Sequence, residues 1–178
     1  MSLNIVFGPM YSGKSTELIR RIKRDKIIGI KILIINSALD TRYGKNSIIT
    51  HDNDRVECIQ VMNLADISDC LVKNVDKIYI EEAHFFADLV DYVKQWTDIM
   101  DKHVIVFGLN GDSSRKPFGN MSSLIPLADD ILFLKSYCEI CKDTTEALFS
   151  KKISLVEGDQ IDVGGHNKYI PVCRKHFF

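Results

Sequence analysis

The stretch Gly8-Pro9-Met10-Tyr11-Ser12-Gly13-Lys14-Ser15-Thr16 matches the phosphate-binding pattern G-x-x-x-x-G-K-[ST] at every fixed position. It follows an apolar run, Leu3 to Phe7, and precedes a helical pattern, Glu17 to Ile22, which predicts a strand, a loop and a helix. Backbone N–H groups of such a loop, with the N-terminus of the helix, favour bound phosphate. The alternative is an ordinary strand-turn-helix that happens to contain glycines. The full match in this context favours a nucleotide site, with Lys14 on the β- and γ-phosphates and Ser15 on Mg²⁺.

The overall composition argues against several classes of protein. The 178 residues suffice for one domain, or for one domain with a small appendage. Lysine plus arginine total 23 and aspartate plus glutamate 24, a net charge of −1 that argues against a nucleic-acid partner. No uninterrupted apolar stretch approaches the length of a membrane span, and the N-terminus lacks the pattern of a cleaved leader. We therefore expect a cytoplasmic protein with no membrane partner.

The cysteine count points to a reducing compartment. Five cysteines is an odd number, which does not suit a framework of disulfides. Cys58 and Cys70 stand alone beside apolar residues, and we expect both to be small hydrophobic residues of the core. The other three belong to a metal pattern described below.

The sequence after the first helix predicts a parallel sheet and a polar loop at its edge. Lys31 to Asn36 is a short apolar run of the kind found in strands buried on both faces, so the chain begins as a βαβ unit. Asp40 and Arg42 follow this strand at the edge where such sheets bind ligands. They are candidates for contacts with Mg²⁺ and phosphate. They also fit a solvated loop with a local ion pair, and the sequence alone does not separate the two.

Two adjacent carboxylates end the next apolar run, Lys77 to Glu82. An apolar strand that ends in an acid is the second element of many nucleotide phosphotransferases, where the acid holds Mg²⁺. Glu81 is the candidate for this role. Glu82, one residue further, is expected to point elsewhere and to accept a proton from a substrate hydroxyl. The alternative is that both acids only cap the following helix.

The remaining pattern predicts an α/β fold. We expect a short strand over Val56–Val61, a short helix over Leu64–Leu71, a longer helix over Ala83–Met100, and strands over Val104–Phe107 and Ile131–Leu134. A glycine-rich loop, Gly108 to Gly119, carries two adjacent cations that either screen phosphate charge or are simply solvated.

The C-terminal segment carries a metal-ligand pattern. Cys138, Cys141, Cys173 and His176 form two C-x-x-[CH] pairs, and this spacing suits one tetrahedral Zn²⁺ if a hairpin brings the pairs together. Leu148–Val156 and Lys168–Val172 are candidates for the arms of that hairpin. A single C-x-x-C also fits a redox motif, whereas two matched pairs favour structural zinc. Between them, Glu157 to Tyr169 is either a linker or a loop that covers the substrate.

These motifs together resemble the type II thymidine kinases, the zinc-containing class, over essentially the whole chain. The resemblance rests on the glycine-bounded loop, Asp40-Thr41-Arg42-Tyr43, Glu81-Glu82-Ala83-His84-Phe85-Phe86, Gly108-Leu109-Asn110-Gly111, Arg115-Lys116-Pro117-Phe118, the four metal positions, and Gly164-Gly165 with Tyr169. It implies a P-loop NTPase-type parallel sheet flanked by helices over residues 1–136. It further implies a small zinc-binding domain over residues 137–178 that carries a lasso-shaped loop.

The resemblance also implies a reaction and a set of site residues. The reaction is transfer of phosphate from ATP to the 5′-hydroxyl of thymidine in nucleotide salvage, with Mg²⁺, structural zinc, a tetrameric assembly and inhibition by thymidine triphosphate (dTTP). Glu82 matches the general base and Glu81 the acid near Mg²⁺. The substrate positions are Met10, Phe85, Leu109, Ser113, Arg115, Phe118, Gln160, Ile161, Asp162, Val163, Gly164 and Tyr169. The ATP positions are Gly8 to Thr16 (Gly8, Pro9, Met10, Tyr11, Ser12, Gly13, Lys14, Ser15, Thr16), Asp40 and Arg42.

Four positions depart from the family pattern. Glu81 replaces a usual aspartate, His84 a common glutamine, Ser113 a frequent phenylalanine and His176 a frequent cysteine. Ser113 removes an aromatic ring from the expected base pocket and keeps a second hypothesis open, a kinase of another deoxynucleoside. A third is a non-catalytic nucleotide-dependent protein with a P-loop and a zinc ribbon.

Overall fold

The computed structural model describes residues 1–41, 46–50, 54–154 and 163–178. Its strands are β1 (Ser2–Gly8), β2 (Ile32–Ser37), β3 (Ser47–Ile49), β4 (Arg55–Glu57), β5 (Ile59–Val61), β6 (Lys77–Glu81), β7 (His103–Leu109), β8 (Asp130–Phe133), β9 (Ser136–Tyr137), β10 (Glu146–Ala147), β11 (Phe149–Lys152) and β12 (Tyr169–Val172). Its α-helices are α1 (Lys14–Ile27), α2 (Asp69–Lys73), α3 (Leu89–Lys94) and α4 (Arg174–Phe177).

Six strands form one parallel sheet in the order β5-β2-β6-β7-β1-β8. The predicted strands over Leu3–Phe7, Lys31–Asn36, Lys77–Glu82, Val104–Phe107 and Ile131–Leu134 are confirmed within a residue or two. β7 lies between β1 and β6, so the loop after β1 and the acids that end β6 reach the same edge of the sheet. That edge is the carboxyl end of the strands, where open α/β sheets bind ligands.

The four central strands β1, β2, β6 and β7 are buried on both faces, which explains why they are continuous apolar runs, whereas the edge strands β5 and β8 are partly exposed. On one face, α1 packs Leu18, Ile19 and Ile22 against alternate strand residues that include Ile34 and Phe107. The opposite face packs against α3 and the turn that follows it. Buried on that side are Leu3, Ile5, Leu33, Ile35, Ile78, Ile80, Leu89, Val93 and Trp96. The predicted parallel sheet flanked by helices is therefore confirmed.

Two predicted helices differ from the observed elements. The helix expected over Leu64–Leu71 is a 3₁₀ turn, Leu64–Asp66, followed by α2. The helix expected over Ala83–Met100 is broken into a 3₁₀ turn (Ala83–Phe85), α3, and a π-helical turn (Gln95–Ile99). The first break lies at Phe86, whose backbone is extended (φ −87°, ψ 116°). Beside it, the carboxylate of Asp88 accepts hydrogen bonds from the backbone N–H groups of Leu64 and Ala65, at 3.2 and 2.9 Å.

The strand predicted over Val56–Val61 divides at Cys58. β4 pairs antiparallel with β3, whereas β5 joins the edge of the main sheet beside β2. Cys58 is buried, as expected, but Cys70 is exposed on α2, so its prediction as a core residue is wrong. Cys70 follows Asp69 on this short surface helix, where only Val72 is buried, so the apolar residues after it do not bury the cysteine.

The C-terminal segment has its own small core. β9 pairs with β10, and β11 pairs antiparallel with β12, so the predicted hairpin arms do come together. A separate buried cluster contains Cys138, Ala147, Val172 and Cys173. No helix among the described residues combines the length and the apolar character that crossing a membrane requires.

Candidate active site

The glycine-bounded loop turns tightly between β1 and α1. Gly13 has φ +82°, a left-handed conformation that favours glycine, and its carbonyl accepts the N–H of Glu17 at 2.9 Å. At Gly8 an added Cβ would lie 2.7 Å from the carbonyl oxygen of Leu134, so only glycine allows this approach. α1 therefore starts directly behind the loop, with no side-chain cap on its first N–H groups. Such an end is available to an anion.

Lys14 is the first residue of α1, and its side chain turns back into this loop and not into solvent. Its ammonium donates to the carbonyl oxygens of Gly8, at 3.1 Å, and Pro9, at 2.7 Å, and the residue is buried. A buried ammonium is stabilised by such acceptors, and phosphate oxygens are stronger ones because the bond is then ionic on both sides. The loop therefore holds one positive charge in reach of a bound phosphate.

Ser15 and Glu81 meet across the sheet edge. The serine hydroxyl donates to Oε1 of Glu81 at 2.5 Å, and Glu81 is 2% exposed. Mg²⁺ prefers oxygen ligands and is held by one or two carboxylates plus phosphate oxygens. The glycine-bounded loop is called the phosphate loop from here on, after its sequence pattern. A hydroxyl and a buried carboxylate that are joined beside this loop are a donor set that fits Mg²⁺.

Glu82 has an unusual backbone conformation. Its φ is +50° and ψ is 40°, the left-handed region, which is uncommon for residues other than glycine. A regular strand would send the side chains of Glu81 and Glu82 to opposite faces. The left-handed turn brings both carboxylates to the same cleft. Strain of this type is typical of functional positions and costs about 1–3 kcal/mol.

Asp40 is buried beside the same edge. The side chain of Asn36 donates to its carboxylate at 3.4 Å. Burial, followed by the negative charges of Asp40 and Glu81, raises the pKa of Cys58 to about 11, so this cysteine is an inert thiol. Arg42, the predicted partner of Asp40 in phosphate binding, lies outside the described residues.

One cleft of about 350 Å³ unites the phosphate loop with the predicted base pocket. Of the predicted substrate residues, the structure brings Met10, Phe85, Leu109, Ser113, Phe118, Val163, Gly164 and Tyr169 to its wall. Gln160, Ile161 and Asp162 lie outside the described residues. A cleft of this size, mostly apolar and with a few polar groups, suits a small organic ligand.

The cleft also contains residues that the sequence did not single out. They are Ile48, Ile49, Thr50, Asp112, Ser150 and His166; Gly111 and Gly165, which belong to the motifs quoted above, line the cleft too. Ser150, on β11, accepts the backbone N–H of Met10 at 2.9 Å, and the rings of Tyr11 and His166 lie 4.6 Å apart. The C-terminal segment thus contacts the phosphate loop directly. Only Asp112 had a local signal, because aspartate commonly closes a turn by accepting nearby N–H groups, here those of Ser114 and Lys116 at 2.8 Å.

Arg115 does not line the cleft with the other predicted substrate residues. Its guanidinium lies 4.5 Å from the ring centre of Phe177, 4.7 Å from that of Phe178 and 5.6 Å from that of Phe149. This aromatic clamp, defined as Arg115 with Phe149, Phe177 and Phe178, ties the loop before Phe118 to the C-terminal segment.

The four predicted metal ligands come together. The donor atoms of Cys138, Cys141, Cys173 and His176 all lie within 4.8 Å of one another. Nδ1 of His176 is 3.6, 3.3 and 3.5 Å from the three sulfur atoms, in that order, and the sulfurs of Cys141 and Cys173 are 3.9 Å apart. Tetrahedral zinc with Zn–S near 2.3 Å and Zn–N near 2.0 Å requires separations of about 3.8 Å between sulfurs and about 3.5 Å from sulfur to nitrogen. The cluster fits zinc.

The environment of Cys138 supports this fit. Burial opposes ionisation, but backbone N–H groups of Cys173 and Cys141, with His176 and the N–H of Ile140, lower the pKa of Cys138 to about 6. Zinc binds the thiolate form. Burial and the neighbouring thiols of Cys138 and Cys173 raise the pKa of Cys141 to about 11, so one thiolate is favoured in the metal-free cluster. Zinc binding would release the protons of the other thiols.

The fold and the cleft are those of an α/β phosphotransferase, with a phosphate loop and two acids at the carboxyl edge of a parallel sheet. Comparison with known proteins agrees. The family model described as thymidine kinase matches residues 1–177, and the chain belongs to the thymidine kinase family.

Named relatives cover nearly all of the chain. The thymidine kinase of Yaba monkey tumor virus is 43% identical over 176 residues, 99% of this chain and 94% of the relative. The thymidine kinase of fowlpox virus is 39% identical over 181 residues, 99% of this chain and 97% of the relative. Thymidine kinase a of Arabidopsis thaliana is 37% identical over 180 residues, 99% of this chain and 74% of the relative.

Proposed function

We propose that this chain transfers the γ-phosphoryl group of ATP to the 5′-hydroxyl of thymidine. The observation that carries the proposal is the meeting of the phosphate loop with two adjacent carboxylates in one cleft, joined by the hydrogen bond from Ser15 to Glu81. The apolar wall that continues from Glu82 through Phe85, Leu109 and Phe118 has the character of a nucleobase pocket. The family membership supplies the identity of the base.

Each residue of the proposed site has one task. Lys14 leaves the carbonyls of Gly8 and Pro9 and donates to phosphate oxygens, and the N–H groups of the loop and of α1 hold the same anion. Ser15 and Glu81 hold Mg²⁺, which, when bound, neutralises charge on the phosphates. Glu82 accepts the proton of the attacking 5′-hydroxyl, so that the oxygen reacts as a nucleophile.

The nucleoside preference depends on the wall around Ser113. This residue lines the cleft where an aromatic side chain is frequent in the family, so the base loses one flat stacking surface. A site with less stacking discriminates less between bases of similar shape. A broader deoxynucleoside range is therefore the second candidate function.

We also propose the finer features that the family implies. Zinc bound by Cys138, Cys141, Cys173 and His176 stabilises the C-terminal domain, residues 137–178, whose buried cluster is too small to be stable unaided. The proposed state is a cytoplasmic homotetramer inhibited by dTTP. Light scattering of the purified protein with and without ATP, and inhibition assays with dTTP, test these features.

The test of the function is a panel of deoxynucleosides assayed with ATP and Mg²⁺. We expect phosphorylation of thymidine, with deoxyuridine next because it differs by a methyl group. Lys14→Ala is the control, and its rate should fall at least about 10²-fold, the scale seen when one preorganised charge stabiliser is removed. Preference for deoxycytidine or a purine would favour the second candidate. ATP binding with no phosphorylation of any nucleoside would leave only a non-catalytic nucleotide-dependent protein.

A further inference from the structure

His84 lies in the wall between the proposed base and the nucleobase pocket. Its side chain is 1% exposed. Its Nδ1 accepts the backbone N–H of Leu109 at 3.3 Å, and its Nε2 lies 3.5 Å from Oε2 of Glu82. One imidazole thus contacts both a residue of the pocket and the carboxylate that receives the proton.

The contact with Leu109 determines which nitrogen of the ring carries a proton. A backbone N–H is only a donor, so Nδ1 must present its lone pair. In the neutral imidazole the proton is then on Nε2, the atom that faces Glu82. A carboxylate is only an acceptor, so the two groups are complementary. The separation of 3.5 Å is long, as catalytic contacts often are before substrate binds.

The ring of His84 is held in this orientation by its neighbours. Its centre lies 4.2 Å from that of Phe85 and 4.5 Å from that of Phe118. Gly119 approaches so closely that an added Cβ would lie 2.1 Å from the carbonyl oxygen of His84, and its φ is +54°. The backbone of His84 is therefore clamped under the loop that carries Phe118.

We propose that His84 is a positioning residue for the general base. By donating Nε2–H to Glu82 and accepting the N–H of Leu109, it holds the carboxylate and the pocket wall at a fixed separation, so that the 5′-hydroxyl of a bound nucleoside meets the base. This inference rests on the proposed function. It assigns to His84 an effect on turnover that acts through Glu82, with a smaller effect on nucleoside binding.

The test compares His84→Phe with His84→Gln. Phenylalanine keeps a flat ring between Phe85 and Phe118 but removes both polar contacts. Glutamine keeps one acceptor and one donor. We expect His84→Phe to lower kcat by about 10–100-fold, since a misplacement of about 1 Å at a catalytic group costs up to about 10²-fold. The KM for the nucleoside should change less than about threefold. His84→Gln should recover most of the lost kcat. His103→Gln, at the far end of β7, is the matched control and should leave activity unchanged.

A double variant separates positioning from a structural role. If His84 acts through Glu82, then His84→Phe should have little further effect in a Glu82→Gln background. An effect of equal size in both backgrounds would overturn the proposal. The proposal would also be overturned if His84→Gln did not recover turnover although the circular dichroism and melting temperature of this variant matched those of the wild type.

Nitrogen NMR of the wild-type protein provides a readout that does not depend on activity. The ¹⁵N shifts of His84 should show the neutral form with the proton on Nε2, and a proton on Nδ1 would overturn the inference. If no nucleoside is phosphorylated, the proposed function fails by the panel assay, whereas the NMR result still tests the geometry. If a nucleoside other than thymidine is accepted, the same kinetics are measured with that nucleoside.

Discussion

Ser15 and Glu81 are joined by a hydrogen bond of 2.5 Å, although 66 positions separate them in the chain. Ser15 lies in the first turn of α1, directly after the loop that follows β1, and Glu81 ends β6. The sheet order places β1 and β6 on either side of β7. Their hydrogen bond joins the start of α1 to the end of β6, one residue before Glu82. The roles of the two neighbouring acids can therefore be separated by experiment.

The first prediction contrasts the two acids. Glu82→Gln keeps the size of the side chain but removes the proton acceptor, so kcat should fall by about 10²–10⁴-fold. Glu81→Gln removes a charge beside Ser15 and should raise the Mg²⁺ concentration required for half-maximal rate. Initial rates across a Mg²⁺ titration measure both effects. Rescue of Glu82→Gln by extra Mg²⁺, with no rescue of Glu81→Gln, would show that the two roles are exchanged.

The second prediction concerns zinc. Elemental analysis should find one zinc per chain, and Cys138→Ser should lose the metal and lower the melting temperature, because binding energy of the metal is folding energy of such a site. Cys70→Ser is the matched control, since Cys70 is exposed and lies outside the cluster. Full activity of protein that contains no zinc would contradict the prediction.

The third prediction uses the aromatic clamp. Arg115 is exposed, and a cation–π contact at an exposed site contributes about 0.5–1 kcal/mol. Arg115→Ala should therefore raise the KM for thymidine about two- to fivefold, because the loop that carries Ser113 and Phe118 loses its tie to the C-terminal segment. Steady-state kinetics measure this change, and Lys116→Ala, an exposed neighbouring cation, is the control.

A double variant that combines Arg115→Ala with Phe177→Leu distinguishes two roles of Arg115. If the arginine acts through the clamp, Arg115→Ala should add little once Phe177→Leu is present. An undiminished effect in that background would instead indicate direct contact with the substrate, as the family resemblance implied.

Much of this architecture could be predicted because its causes are local. The continuous apolar runs of β1, β2, β6 and β7 predicted strands buried on both faces, and the glycine pattern placed the phosphate loop. The arrangement of residues in the cleft was harder to predict from the sequence. Glu82 was expected to point away from Glu81, and only the left-handed turn at a residue other than glycine brings them together. No periodicity encodes that turn.

Contacts between segments that are distant in the chain were also not predicted from the sequence. Ser150 meets the backbone of Met10 across 140 positions, and the sequence around Ser150 predicted only a hairpin arm. The contacts of Asp88, at the start of α3, are of the same kind, since its carboxylate accepts N–H groups from a segment more than 20 residues earlier. A local sequence pattern carries no information about contacts with residues far away in the chain.

The last prediction concerns acid sensitivity at the start of α1. Glu17 accepts from Nε and Nη2 of Arg20 at 2.6 and 2.7 Å, and from Nε of Arg21 at 2.7 Å. The hydrogen bonds from Arg20, opposed by partial burial and aided by Arg21, lower the pKa of Glu17 from 4.5 to about 2. A carboxyl group whose pKa is lower in the folded state stabilises the fold above its unfolded value of 4.5. That stabilisation is lost as the pH falls towards 2.

Urea unfolding of Glu17→Gln and wild type at several pH values measures this contribution. At pH 7 the variant should be less stable by about 1 kcal/mol, a value kept small because Arg20 is half exposed and the pair is screened by water. The difference should shrink as the pH falls below 4.5, since the wild-type carboxyl then loses its charge too. Glu57→Gln, at an exposed position on β4, is the control and should show little difference at pH 7. A difference between Glu17→Gln and wild type that is the same at pH 7 and pH 3 would mean that packing, and not charge, gives Glu17 its effect.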